Sequence, residues 1–236
     1  MQYIGSKRRL AKHLLPIILK DRQPDQWYIE PFVGGANMIE NVPGPNVIGA
    51  DADIHTIRAL HAIRDTPTLL PKDSNILTKE AYQAVQYKYR NTPHKITDVD
   101  CYVLIACAFR GVFNRGYSGG LERDNCDRIA SQYRAAQKQS KLLQDKALIC
   151  TKYNELILFP NSIIYCDPPY QSTQGYGIEF NHDEFWQWCR DKHKEGHTIF
   201  VSEYNAPGDF TCIWERELIN NLNTKKATEK LFTLNK

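Results

Sequence analysis

Long apolar runs are missing from this sequence. The longest uninterrupted one, Cys101 to Phe109, has nine residues, whereas a helix spanning a bilayer needs about 20. Near the N-terminus Lys7, Arg8 and Arg9 precede a short apolar patch, Leu14 to Leu19, which contains Pro16 and stops at Lys20. That patch is too short for a secretory signal, so a cytoplasmic protein without membrane contact is expected. Cysteine occurs seven times, yet never as Cys-x-x-Cys or in a Cys/His cluster with zinc spacing. Reduced thiols and no bound metal are the expectation. Internal repeats and low-complexity segments are absent too.

What is present has the composition of an ordinary globular chain: 236 residues, 42% hydrophobic and 24% charged. Disordered, collagen-like and coiled-coil classes are thereby set aside. The length suits one large domain, or one carrying a sizeable insertion. A net charge of +3 hides a segregation. Residues 1–20 hold five basic side chains and no acidic one, residues 86–146 hold 11 basic against six acidic, and residues 147–223 hold five basic against 11 acidic. This distribution suits a polyanion lying on selected faces, although runs of charge also occur as plain solvated surface.

Leu10, Leu14, Leu15 and Ile18 share one face of a helix expected within Lys7 to Leu19. A strand is expected at Trp27 to Ile29, then a glycine turn within Glu30 to Asn37 and a helix start at Met38-Ile39-Glu40, the opening of a βα unit. The second strand, Asn46 to Gly49, runs into Ala50-Asp51-Ala52-Asp53, with Asp53 as N-cap of the following helix. Short apolar runs at Ala147 to Cys150, Ser162 to Cys166 and Thr198 to Ser202 read as buried parallel strands, and Asp183 to Lys194 reads as a helix. Such alternation predicts an α/β fold, an open sheet with helices on both sides.

Between the second and third strands the alternation breaks for roughly seventy residues, far more than a connecting loop requires. Helices are expected there at Thr78 to Tyr89, at Asp98 to Phe109 with Asp98 as cap, and at Asp127 to Leu143, around a glycine-rich stretch from Gly111 to Gly120. Residues 75–146 are therefore expected to be an insertion into a domain built from 1–74 and 147–236.

The sharpest chemical signal is Asp167-Pro168-Pro169-Tyr170, directly after the strand that ends at Cys166. A carboxylate at the carboxyl end of a parallel strand faces the crevice where open α/β sheets bind ligands. Two prolines fix the backbone and remove two amide donors, which leaves carbonyls in one geometry beside the carboxylate and the phenol ring. The Asp167 carboxylate and the Pro168 carbonyl can accept the hydrogens of an exocyclic amine and aim its lone pair at an electrophilic methyl group, while Tyr170 stacks on the base. A base in a duplex would have to flip out to reach them. The same four residues would also serve as a tight turn.

A second site lies on the same sheet. Gly34 and Gly35 allow close backbone approach after the first strand, and Asp51, about twenty residues beyond that strand, stands where such folds keep an acid for ribose hydroxyls. No G-x-G-x-x-G follows the strand, so a pyrophosphate is not expected. S-adenosylmethionine, an adenosyl cofactor without one, fits. An ordinary turn and a helix cap remain alternative readings of these residues.

Tyr3-Ile4-Gly5-Ser6-Lys7, Glu30-Pro31-Phe32-Val33-Gly34-Gly35, Ala50-Asp51, Asp167-Pro168-Pro169-Tyr170 and Lys226-Ala227-Thr228-Glu229-Lys230-Leu231 occur in the order found in the Dam-like DNA adenine-N6 methyltransferases, and the chain resembles that family over nearly its whole length. The resemblance implies a seven-stranded, mostly parallel Rossmann-like sheet with an inserted helical target-recognition domain. It also implies S-adenosylmethionine held by Tyr3, Gly5, Ser6 and Lys7, with Tyr3 and Lys7 at its methionine end. Glu30, Pro31, Phe32, Gly34 and Gly35 would line the cofactor pocket, Asp51 would hold the ribose, and Asp167 and Tyr170 would meet the target base. Phe109-Arg110 and Phe113-Asn114-Arg115-Gly116-Tyr117 resemble the family's recognition region, which makes Arg110, Asn114, Arg115 and Tyr117 the expected contacts to duplex DNA.

Two positions depart from that pattern. Ala36 stands where many relatives have glycine, and Asn154 stands where relatives often have an aspartate near the cofactor's adenine. Methylation of cytosine N4, and a methyltransferase-like protein that binds DNA without turnover, are the alternative functions. A restriction companion of an endonuclease and a solitary phage or regulatory enzyme are both compatible with the resemblance.

Overall fold

The computed structural model describes residues 1–120, 126–170, 180–219 and 226–235. Seven strands form one sheet: β1 (Tyr28–Glu30), β2 (Val47–Asp51), β3 (Ala147–Cys150), β4 (Ile163–Cys166), β5 (Thr198–Glu203), β6 (Phe210–Ile219) and β7 (Lys226–Leu234), in the order β3-β2-β1-β4-β5-β7-β6. The first five run parallel, and β7 is antiparallel to β5 and β6 on either side of it. The first five strands lie where the apolar runs predict them, within two residues at each end. The hairpin of β6 and β7 carries no such run, and only the family resemblance implies its strands.

Among the described residues six α-helices flank the sheet: α1 (Ala11–Ile18), α2 (Ile54–Asp65), α3 (Lys79–Asn91), α4 (Asp98–Ala106), α5 (Arg128–Leu143) and α6 (His182–Lys194). Successive strand residues point to opposite faces, and both faces are covered. Ile163, Tyr165, Phe200 and Leu231 join the core beneath α1, α2, α4 and α5, whereas Ile164, Cys166, Val201 and Phe232 join Phe185, Trp186 and Cys189 of α6 on the other face. Leu10, Leu14, Leu15 and Ile18 are all buried, as the helical spacing in the first segment requires.

Three local expectations are corrected. Thr97, not Asp98, caps α4: its hydroxyl accepts the Asp100 amide while the Asp100 carboxylate accepts the Thr97 amide at 2.8 Å, a reciprocal capping box. The same helix stops at Ala106 instead of Phe109, because Ala108 turns to pair with Tyr117 and Gly111, at φ +66°, packs so closely on the Gln2 and Tyr3 backbone that an added Cβ would stand 2.9 Å from it. After β1 the helix start at Met38 amounts to one 3₁₀ turn, Ile39–Asn41.

Residues 75–146, of which 121–125 lie outside the described residues, do not build a core of their own. Leu77, Tyr82 and the continuous buried run Cys101 to Ala108 belong to the same cluster as Tyr28, Ile57 and Ile163. Every residue of α4 from Cys101 to Ala106 is buried, which explains why the longest apolar run of the chain lies in this segment.

Candidate active site

Strand order reverses at β1 and β4, which are neighbours although two strands separate them along the chain. Their carboxyl ends form the crevice where open α/β sheets take ligands. Glu30 closes β1, Asp51 closes β2, and Asp167 follows β4 directly. One ridge of the sheet thus presents three acids.

A basic group meets them from the N-terminal segment. Lys7 is fixed by the first turn leading into α1, where its carbonyl accepts the amides of Leu10 and Ala11, and its side chain runs inward until it is 7% exposed. The ammonium lies 3.0 Å from Asp167 Oδ1, 3.7 Å from Glu229 Oε2 of β7, and 4.6 Å from the centroid of the Tyr170 ring. The Tyr170 hydroxyl donates to the same Glu229 oxygen at 2.7 Å, and Tyr204 packs edge-to-face against the Tyr170 ring at 4.6 Å. Burial draws the Lys7 pKa down, but Asp167 and Glu229 outweigh it and the net shift is upward. For Asp167 burial raises the pKa, Lys7 opposes it, and Glu229 adds to the rise. Burial also lifts Glu30 to about 8, and its carboxyl accepts the Tyr28 hydroxyl at 2.7 Å.

The expected cofactor residues gather around the turn after β1. Tyr3 lies over Gly34, where an added Cβ would stand 2.9 Å from the Tyr3 ring, and Ser6 Oγ accepts the Asn37 side-chain amide at 2.9 Å. Gly5 turns the chain between them at φ +72°. Gly34 (φ +47°) and Ala36 (φ +58°) are both left-handed, so Ala36 keeps the turn by adopting a backbone that glycine would hold with less strain. Asp51 Oδ2 accepts the Gly34 amide and Oδ1 the Asp53 amide, each at 3.0 Å. Its pKa is lifted to about 6 by burial against those hydrogen bonds. The N-cap of α2 is Asp53, not Asp51.

Pro31 is buried and Phe32 half-buried. Phe32 packs with Tyr153, Phe180 and Phe185, at centroid distances of 5.4, 5.8 and 5.7 Å. Asn154 is exposed beside this cluster and donates to Glu184 at 3.2 Å. The site around β1, β2 and β4 suits S-adenosylmethionine. Asp51 and Asp167, the acids at the ends of β2 and β4, complement a cationic sulfonium, and the aromatic wall suits an adenine.

The four expected DNA contacts do not share one environment. Arg110 and Arg115 are exposed. By contrast, the Tyr117 hydroxyl donates to the Leu77 carbonyl at 2.5 Å, and Asn114, at φ +57°, accepts Gln86 on its side chain at 3.0 Å. Both of these residues hold the glycine-rich loop against α3.

Residues 3–211 match the D12 class N6 adenine-specific DNA methyltransferases. The chain belongs to that family. It is 24% identical over 216 residues to the type II methyltransferase M.FokI of Planomicrobium okeanokoites, an alignment that covers 80% of this chain and 31% of M.FokI. The chain therefore spans about a third of that relative's length. Among solved structures it is similar to SMU.472, a candidate methyltransferase complexed with SAH, with a TM-score of 0.39 and 10% identity over 98% of this chain and 52% of that one.

For a D12 class chain, three features of the site escape the sequence reading: the pairing of Glu229 with Lys7 and Tyr170, the packing of Tyr204, and the wall made by Tyr153 and Phe180. Glu229 stands within a segment that the resemblance singles out, yet its direction is set by strand pairing that apolar periodicity does not register. Among the described residues no cluster of histidine, cysteine and carboxylate side chains could hold a metal ion, and no helix is long and apolar enough to cross a membrane.

Proposed function

We propose that this chain transfers the methyl group of S-adenosylmethionine to the N6 amine of adenine in duplex DNA. The reading rests above all on Asp167-Pro168-Pro169-Tyr170 standing at the carboxyl end of β4, at the point where the sheet reverses, with Lys7 3.0 Å from the carboxylate. When bound, the cofactor supplies a methyl group on a positively charged sulfur. The protein's part is to place the amine and to balance the charge it acquires. Asp167 and the Pro168 carbonyl accept the amine hydrogens and direct its lone pair, and Tyr170 offers an aromatic surface to a base flipped out of the helix. As the amine becomes cationic, the negative carboxylate stabilises it, and its raised pKa suits it to take up the proton the amine sheds. The reaction is a direct in-line displacement with no covalent enzyme intermediate. Tyr3, Ser6, Gly34, Gly35 and Asp51 hold the cofactor, Phe32 and Tyr153 flank its adenine, and Arg110 and Arg115 contact DNA from the basic segment.

The test combines the purified protein, unmethylated mixed-sequence duplex DNA and methyl-labelled S-adenosylmethionine, followed by nucleoside mass spectrometry, with Asp167→Ala in parallel. Label is expected in N6-methyladenine, reduced by about 100-fold or more in the variant while calorimetry still detects cofactor binding. Label in N4-methylcytosine would overturn the choice of base. Unchanged turnover by Asp167→Ala would overturn the assignment of the carboxylate.

A further inference from the structure

The role assigned to Asp167 raises a difficulty that the structure itself answers. A carboxylate 3.0 Å from an ammonium is neutralised as a pair, and a neutral pair gives little stabilisation to an amine that turns cationic in the transition state. A second carboxylate is present. Glu229 Oε2 lies 3.7 Å from the same ammonium on its other side, and Glu229 is 13% exposed where Lys7 is 7% exposed. One cation is therefore shared by two carboxylates, and the trio keeps a net charge of −1. Glu229 also accepts the Tyr170 hydroxyl at 2.7 Å, which fixes the rotation of the ring that follows the two prolines.

We propose that Glu229 is a positioning residue for methyl transfer. By sharing Lys7 it leaves Asp167 a net negative partner for the target amine, and by holding the Tyr170 hydroxyl it sets the ring against which the base rests. The idea rests on the methyltransferase reading above and deepens it. Its position on β7 is what makes the arrangement possible. β7 pairs antiparallel with β5, Glu203 lies opposite Lys230, and Glu229 is thereby carried to the carboxyl end of the parallel strands, beside Asp167. A parallel strand inserted at the same place would run the other way along the sheet.

Glu229→Gln separates charge from shape, because the amide oxygen still accepts the Tyr170 hydroxyl while the charge is lost. In wild type, methyl transfer to adenine N6 is measured first. Glu229→Gln is then expected to lower kcat by about 10- to 100-fold, with S-adenosylmethionine affinity by calorimetry and the melting temperature nearly unchanged. The charge-keeping Glu229→Asp recovers part of the loss. If Glu229 acts through Lys7, the factor shrinks in a Lys7→Met background, a non-additivity that a merely structural role does not produce.

A pH profile gives a second readout. Asp167 faces Lys7 from the turn into α1, Glu30 from β1, Tyr165 from β4, Tyr170 from its own loop, Tyr204 after β5 and Glu229 from β7. Removing the like charge of Glu229 lowers the Asp167 pKa, so the acid limb of kcat moves to lower pH in Glu229→Gln. Three results overturn the proposal while leaving the methyltransferase reading intact: wild-type kcat in Glu229→Gln, an equal factor in the Lys7→Met background, or lost cofactor binding in Glu229→Gln. A wild type that methylates no adenine overturns both.

Discussion

Replacing Lys7 by methionine would leave Asp167 and Glu229 facing each other across the space of a buried ammonium. Methionine nearly matches the length of the lysine stem, so the change isolates the charge. Removing one partner of a fully buried ion pair costs about 3–5 kcal/mol. Here Asp167 is 20% exposed and Glu229 13%, and their residual hydration reduces the expected loss to about 2–3 kcal/mol at pH 7. For a chain of this size that corresponds to roughly 4–12 °C in melting temperature.

The pH dependence carries the decisive sign. In wild type Lys7 has a raised pKa, so its contribution is present throughout the range below the ordinary lysine value and is lost only as the pH rises through its folded value. Without Lys7, the Asp167 pKa, already raised by burial, rises further. A carboxyl raised in the folded state stabilises it at low pH and loses that contribution as the pH rises through the folded value. The deficit of Lys7→Met relative to wild type is therefore largest near neutrality and shrinks on acidification. Urea denaturation of both proteins at pH 7 and pH 5 measures it. A deficit below about 0.5 kcal/mol, the size of an ordinary surface substitution, or one of equal size at both pH values, would refute the buried trio.

Two further outcomes follow from the same structure. Glu30, with its pKa lifted to about 8 by burial, is mostly protonated at pH 7, so wild-type stability declines as the pH rises between the ordinary carboxylate value and about 8. Glu30→Gln removes that slope. Its stability relative to wild type should therefore rise across the window and level off above it in thermal melts, and a parallel pair of curves would sink the assignment. Arg110→Ala/Arg115→Ala should weaken duplex DNA binding and reduce the slope of log affinity against log salt by about 0.9 for each phosphate that is no longer neutralised. Stability should change by less than about 0.5 kcal/mol, since both side chains are exposed. Wild-type affinity of this variant at every salt concentration would remove the two arginines from the DNA surface.

The parallel half of the sheet is legible because its strands are buried on both faces and read as unbroken apolar runs, such as Ile163 to Cys166. The cap at Asp53 is legible for a local reason: its side chain accepts an amide only two residues ahead. Thr97 and Asp98 differ by one position, and only the reciprocal bond with Asp100 decides between them. The segment 75–146 is legible in its length and charge but not in its packing. Its basic composition and its length mark it as an insertion, but the run from Cys101 to Ala108 is buried against α2 in the common core, and an uninterrupted apolar run does not say which partner will cover it.

The Asp167 carboxylate and its surroundings show the same division between local and distant causes. Asp167-Pro168-Pro169-Tyr170 is readable because its chemistry lies within four consecutive residues. The ion pairs around it join positions 7, 167 and 229, pairings that depend on an N-terminal turn packing over the sheet and on a hairpin arriving from the opposite chain end. β7 alternates Lys226, Thr228 and Lys230 with Ala227, Glu229 and Leu231, a pattern in which one acidic residue shares a face with a core leucine. Read alone, such an acid looks like an interruption of the buried face. With Leu231 fully buried and Glu229 at 13% exposure beside Lys7, it marks the point where that face leaves the core and enters the site. Acids that break the apolar face of a strand near its end are therefore worth testing as site residues before they are assigned to solvent.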